Sequence, residues 1–445
     1  MIPEEYRGKY FYHFTHVSNI PSIVENGLLC TNEKNRLKIS HENIANDGIQ
    51  NRRNQMIVPC YPHGTVHDYV PFYFTSVNPM LLGLLNKKVV DQSLIVFIAI
   101  SIEKLIENNV IFTNASANTN IPPTFYNNPT DLDNLDWIEI DSKRWGYNNI
   151  NSRMAEVLIH NRVPIDWIDS FIVFDNICHK EITNTYLQNT LPLPKISYTR
   201  FNNRPFYFKK FFVKGQERES LVTGPLELNY KFRSLVKDIK KTRKSTFGQK
   251  PSFTTVKDAL NKIEENFCII KELEGIYELS TSNETHSKNV SDHTKEVVEN
   301  LTDNKYYNKL YLFDKEIVKL ASYLHDIGKG PKSKWKDEIQ PPYPDHPADA
   351  VPMLKRILVE EFESLSEEEI RKICLLVIYH DIIGEILCED RNSQELIDLK
   401  LNDNDLNMLI ALSLADVTAI NSEWARSMKK KLPEFKKFIK QGDLK

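Results

Sequence analysis

Apolar residues in the first half of the chain fall in short runs, whereas in the last third they recur three and four residues apart. Tyr10–Phe14 is a short aromatic run suited to a strand, and Ile20–Glu25 has the spacing of a helix that Gly27 ends. Val70–Phe74, Leu94–Ile100, Met154–His160 and Phe171–Phe174 are apolar, β-branched or aromatic runs suited to buried strands. Phe206–Val213, with alternating bulk, closes the series. Many short strands and few long helices predict a sheet-centred α/β domain over residues 1–215.

The C-terminal third has a different period. His293–Leu301, Glu316–His325, Ala348–Glu360, Glu368–His380 and Leu406–Met428 carry the helical spacing, and no comparable strand pattern interrupts them. Residues 285–430 therefore read as an all-α domain, with 431–445 as a tail. Between the two lies a connector, 216–284. It contains a basic strip over 231–250, with Asp238 as its one acid, and helical spacing from Val256 to Leu273. The strip suits either a phosphate backbone or a solvated linker.

Composition narrows the function classes. A chain of 445 residues needs more than one core. A net charge of -3 confines any nucleic-acid surface to a local patch. The six cysteines contain no CxxC pair, which argues against a disulfide framework or a cysteine-ligated zinc. The N-terminus lacks an apolar signal core, and no apolar run is long enough to span a bilayer. These features predict a cytoplasmic protein without a membrane partner.

The strongest chemical signal is Leu324-His325-Asp326-Ile327-Gly328-Lys329, a His-Asp pair behind the apolar face Leu320, Ala321 and Leu324. Gly328 is read as a tight exit from the helix. His293, His346, His380 and Asp416 each abut apolar helical sequence, where an ionisable group must be paired or metal-bound. Several helices that each contribute one such group point to a metal centre inside a bundle. In this order the residues resemble the HD superfamily of phosphohydrolases over about 285–430. The resemblance implies that His293, His325, Asp326 and Asp416 hold one ion. It implies that His346 and His380 hold a second, with Asp326 bridging. Mn, Fe, Zn, Ni or Mg would suit such donors. Lys329 would neutralise phosphate charge. Some members have a second histidine after the position of His380, where this chain has Asp381, and His286 competes with His293 for the first-helix role.

The N-terminal half has no GxGxxG or P-loop. Glu156 is an acid at the mouth of an apolar strand, and Arg52-Arg53 offer forked donors for phosphate, although such a pair on a helix is commonly a surface feature. His13 and Thr15 alternate, so they face the same way on a strand and are able to hydrogen-bond an amide or ribose. YHFTHVSNIPSIVENGLL, NIANDGIQNRR, HDYVPFYFTSVNPMLL, NSRMAEVLIHNRVP and RPFYFKK occur in the order of the DarT family of DNA ADP-ribosyltransferase toxins, which they resemble over about residues 10–210. The resemblance implies an ADP-ribosyltransferase-like domain with a central split sheet, NAD as co-substrate and single-stranded DNA as acceptor. Glu156 would be the catalytic glutamate, and Arg53 would organise the NAD phosphates and take part in catalysis. His13 and Thr15 would hold the nicotinamide end, Tyr73 would line the pocket, and the loop His41–Met56 would lie over NAD. A macrodomain-type antitoxin would be the restraining partner. Val77-Asn78 stand where the family often has arginine and serine, and Lys209, Lys210 and Lys214 add local positive charge.

The reading favoured by the sequence is a DNA ADP-ribosyltransferase fused to an HD phosphohydrolase, in a toxin or phage-defence setting. The alternatives are a phosphohydrolase with a degenerate nucleotide-recognition module, and a non-enzymatic nucleic-acid-binding protein with a structural metal.

Overall fold

A computed structural model describes the chain except for residues 45–46, 119–121, 143–149, 209–221, 246–250, 283–287, 390 and 443–445. It divides into two compact units, Met1–Leu85 with Val90–Phe208, and Asn86–Val89 with Lys209–Lys445.

The first unit is built on eight strands: β1 (Tyr10–His16), β2 (Tyr69–Tyr73), β3 (Ile95–Ser101), β4 (Val110–Thr113), β5 (Phe125–Tyr126), β6 (Glu156–His160), β7 (Ser170–Val173) and β8 (Ile196–Tyr198). Their order is β8-β7-β3-β1-β2-β6-β4-β5. Only β8 and β7 run parallel. β1 pairs with β3 along its whole length, but with β2 only where Tyr12 faces Tyr73, so the sheet is split between β1 and β2. One face packs Phe11, Val70, Phe72, Val96, Ile98, Val157 and Phe171 into the main core. Helix α1 (Ile20–Asn26) follows β1 and ends at Gly27, whose φ is 75°. A Cβ there would sit 2.5 Å from the Val163 carbonyl oxygen, so glycine is required twice over. The predicted strand Phe206–Val213 does not form over its described part: Phe206–Phe208 are irregular, and the rest lies outside the described residues. Phe206 packs edge-on against Tyr12 and Phe97, and the Tyr207 hydroxyl donates to the carbonyls of Ile95 and Ile172. These rings fill the second sheet face, which explains their alternation in bulk without strand pairing.

The second unit is helical. Its main helices are taken up after α2 (Asp47–Gln55) and α3 (Pro79–Asn86) of the chain. They are α4 (Pro225–Ser245), α5 (Val256–Glu265), α6 (Val290–Asn300), α7 (Leu312–Leu324), α8 (His346–Arg356), α9 (Glu367–Tyr379), α10 (Asp403–Ile420) and α11 (Ser422–Gly442). The stretch read as a connector supplies core: Leu228, Leu235 and Ile239 of α4 and Ala259, Leu260 and Ile263 of α5 are buried with the helices that follow. Over residues 231–243 the basic strip is thus the outer face of an amphipathic helix, an outcome that charge counting alone does not reveal, and residues 246–250 lie outside the described residues. Arg243 donates to the carbonyls of Leu358, Phe362 and Glu363, and Lys240 pairs with Glu367. The tail is likewise core, because Leu432, Phe435 and Ile439 of α11 are buried. The single predicted helix Leu406–Met428 is two helices, broken at Asn421, which leaves helical backbone with φ -153° and ψ 116°.

Candidate functional site

In the first unit a cavity of about 380 Å³ opens beside the sheet split. His13 and Thr15, two residues apart on β1, both line it, as does Arg53 from α2. His13 Nδ1 lies 2.8 Å from the Pro71 carbonyl oxygen. A carbonyl only accepts, so Nδ1 carries the proton and Nε2 is left as an acceptor. Burial lowers the His13 pKa to about 4 against the weaker pull of the Pro71 carbonyl, so the ring is neutral at pH 7. Asn19 donates to Thr15 Oγ1 at 3.0 Å and holds both the N–H and the carbonyl of Glu42, tying the chain after α1 to β1.

Glu156 opens β6 and is 0% exposed. Arg53 Nη1 donates to both of its oxygens, at 3.0 and 2.9 Å. The Ala117 N–H and the Ser116 hydroxyl also reach Oε1, at 2.8 and 3.2 Å. Arg53 Nη2 is buried and makes no hydrogen bond. Arg53 is therefore the residue that joins the cavity to Glu156 and keeps a donor in reserve. Tyr73 stands opposite Glu156 in the β2–β6 register, with its hydroxyl 3.5 Å from Met80 Sδ. It is buried under the site, and Met80, not Tyr73, is among the cavity-lining residues. Burial, with Glu156 next in weight, pushes its phenol pKa up.

In the second unit the predicted metal residues converge. His325 and His380 are the C-caps of α7 and α9, His346 begins α8, His293 lies in α6 and Asp416 in the last turns of α10. The Nδ1 atoms of His325, His346 and His380 donate to the carbonyls of Ser322, Tyr343 and Val377, each three residues earlier. Those bonds satisfy backbone carbonyls left over at turns and helix ends, and aim each Nε2 inward. Asp326 Oδ2 lies 3.3 Å from His325 Nε2 and 3.8 Å from His293 Nε2, while Asp416 Oδ1 lies 2.9 Å from His293 Nε2. On the other side, Asp326 Oδ1 lies 3.4 Å from His346 Nε2, which is 3.1 Å from His380 Nε2. Asp326 is 0% exposed, yet its Oδ1 makes no hydrogen bond, and neither does the buried His325 Nε2. Buried, unsatisfied donor atoms that face one another fit a divalent ion. Lys329 Nζ lies 2.7 Å from Asp326 Oδ2. Burial raises the Asp326 pKa, but His325 and Lys329 more than reverse this and hold the carboxyl well below the usual range. A cavity of about 250 Å³ opens onto His293, Asp326, Lys329, His346 and Asp416 and is also lined by Lys288, Tyr343 and Asp381.

Sequence reasoning missed several residues. Asn19 follows Thr15 by four positions, a spacing that was available. Ser116 and Ala117 carry no local signal. Arg153 is buried and donates to the carbonyls of Glu139, Ser142 and Val77, holding the chain before Pro79-Met80. Asn78, at the departure from the family pattern, accepts from the Met80 N–H at 2.7 Å and caps α3. Arg52 donates to the Asn118 carbonyl. Gly328 lies in the 3-10 turn Ile327–Lys329 that follows α7, and a Cβ there would lie 1.9 Å from the His346 carbonyl oxygen, so its absence lets α8 approach. His286, Lys209, Lys210 and Lys214 lie outside the described residues, as do Ala45 and Asn46 of the expected NAD loop.

Comparison with known proteins divides the chain in the same way. Residues 12–202 match the family model described as ssDNA thymidine ADP-ribosyltransferase, DarT, and residues 283–419 match the HD domain model. A DNA ADP-ribosyl transferase of Thermus aquaticus is 28% identical over 205 residues, which are 45% of this chain and 89% of the relative. One from Escherichia coli is 26% identical and covers 41% of this chain and 88% of its own. The solved structure of Thermus sp. 2.9 DarT in complex with ADP-ribosylated ssDNA has 26% identity and a TM-score of 0.40, covering 44% of this chain and 96% of that one. The chain carries a DarT domain at its N-terminus and an HD domain at its C-terminus.

Proposed function

We propose that the N-terminal domain transfers ADP-ribose from NAD to a base in single-stranded DNA, and that the C-terminal domain hydrolyses a phosphoester with two divalent ions. The observation that carries the first half is the Arg53–Glu156 pair, buried at the edge of a cavity lined by His13 and Thr15. NAD supplies an ADP-ribosyl unit whose bond to nicotinamide is broken as the bond to the base nitrogen forms. The neutral His13 ring accepts from the carboxamide N–H through Nε2, and the Thr15 hydroxyl completes that end. Arg53 Nη2, the donor without a partner, takes an anionic oxygen of the pyrophosphate. Glu156 stabilises positive charge at the ribosyl carbon and accepts the proton lost by the attacking base, a general-base role. Ala117 and Ser116 hold its Oε1 in place for that step.

Orphaned donor atoms around Asp326 support the second half. His293, His325, Asp326 and Asp416 would hold one ion, and Asp326, His346 and His380 the other. Such a pair supplies an activated water and neutralises the leaving oxygen of a phosphoester. Lys329 adds a positive charge at the mouth of the cavity for the phosphate. A transferase that modifies DNA blocks replication, so the chain acts in the cytoplasm as a toxin or defence protein. A macrodomain-type hydrolase or the HD domain itself restrains it. Glu156→Ala is the test: it loses label transfer from NAD to single-stranded DNA, and cells induced to express it grow where those expressing the wild type do not. Transfer by that variant at the wild-type rate sinks the assignment.

A further inference from the structure

The second ion proposed above has only three donors in the family pattern, Asp326, His346 and His380. We propose that Asp381 is a direct fourth ligand of that ion, giving it the same set of two imidazoles and two carboxylates as the first. The inference rests on the reading of this cluster as a dinuclear centre.

Three observations support it. Asp381 Oδ1 lies 3.1 Å from His380 Nε2, and Oδ2 lies 3.4 Å from His346 Nε2. Asp326 Oδ1 lies 3.4 Å from His346 Nε2 and 3.9 Å from His380 Nε2, so both carboxylates face the same two nitrogens. Donors about 2.0–2.2 Å from a tetrahedral ion stand about 3.3–3.6 Å from one another, close to these separations. Secondly, Asp381 is the N-cap of the short helix Ile382–Cys388, where an aspartate ordinarily accepts a backbone N–H, yet its side chain makes no cap hydrogen bond. The carboxylate turns to the histidines instead. Thirdly, both histidines commit Nδ1 to backbone carbonyls, so the nitrogens that Asp381 meets are the ones free to ligate. His346, His380 and Asp381 also offer one donor each within 4.8 Å of one another.

Three carboxylates against two divalent ions leave the centre with a single positive charge, where a histidine at 381 would leave two. A second carboxylate also makes the site harder, so both ions should favour Mn or Fe over Zn.

The test uses the full chain, stripped of metal and titrated with Mn(II). Ions per chain are counted after gel filtration, and spin coupling between the ions is read by electron paramagnetic resonance. The wild type binds two coupled ions. Asp381→Ala keeps one, gives an uncoupled signal and weakens the second ion by more than about 10–100-fold, the cost of losing only an outer-shell partner. Asp381→His restores a second ion and shifts its preference toward Zn or Ni. Two ions at wild-type affinity in both Asp381→Ala and Asp381→Asn overturn the proposal. So does loss of both ions in Asp381→Ala, Asp381→Asn and Asp381→His alike, because the residue then supports the fold and not one ion. Fewer than two ions in the wild type overturn the dinuclear reading itself, a failure visible before any variant is made.

Discussion

A buried ion pair and a buried histidine of the N-terminal domain carry opposite electrostatic problems, and each can be tested separately. Arg53 and Glu156 are 6% and 0% exposed, so removal of one leaves the other as an uncompensated buried charge. Arg53→Ala should destabilise the domain by about 3–5 kcal/mol. Glu156→Gln keeps one acceptor for Arg53 but leaves its buried charge uncompensated, so it should destabilise as well, by less than Arg53→Ala. Urea midpoints of the two variants provide the comparison, and equal shifts would contradict the pairing. His13 poses the inverse problem, because its neutral form is the buried one. Its pKa falls from 6.5 to about 4 on folding. Between those values the unfolded chain binds the proton and the folded chain does not. Stability from this residue is therefore lost as pH falls from about 6.5 to about 4, at roughly 1.4 kcal/mol per unit. His13→Asn keeps a donor for the Pro71 carbonyl but does not titrate. Its midpoint should be less sensitive to pH in that window, and an unchanged pH profile would contradict the burial argument.

The way helices and strands meet determines what the sequence was able to reveal. Gly328→Ala should cost more than about 2 kcal/mol, by analogy with overpacking, because its Cβ meets the backbone of α8. It should also weaken metal binding by displacing His346. Melting and metal titration of that variant check both effects, and wild-type behaviour in both would show that α8 yields easily. The residues that converge in the second unit were legible as candidates because each sits beside an apolar helical stripe, where a histidine is conspicuous. Glu156 was legible for the same reason, at the head of an apolar strand. Ser116, Ala117 and Arg153 were not, because they act through backbone atoms or on backbone carbonyls distant in sequence, and local pattern carries no trace of such bonds. Phe206–Phe208 show the opposite error: alternation in bulk looked like a strand, but the rings are plugs. The basic strip misled similarly, because its charges are evident in sequence whereas the burial of Leu235 and Ile239 depends on partners far along the chain.

The two units have separate cores, and the two candidate sites draw on different ones. No described helix is long and apolar enough to cross a membrane, and all six cysteines are free. Asp326→Ala should therefore lose both ions and phosphoester hydrolysis while leaving NAD-dependent transfer largely intact. Metal analysis and transfer assays on one preparation would show it, and parallel loss of transfer would mean that the domains depend on each other. The central claim is that this chain joins ADP-ribose to single-stranded DNA. Intact-mass measurement of a defined single-stranded oligonucleotide after incubation with the full chain and NAD tests it most directly. The wild type should add the mass of one ADP-ribosyl unit and Glu156→Ala none. An oligonucleotide left unmodified by the wild type, or modified equally by both proteins, would contradict it.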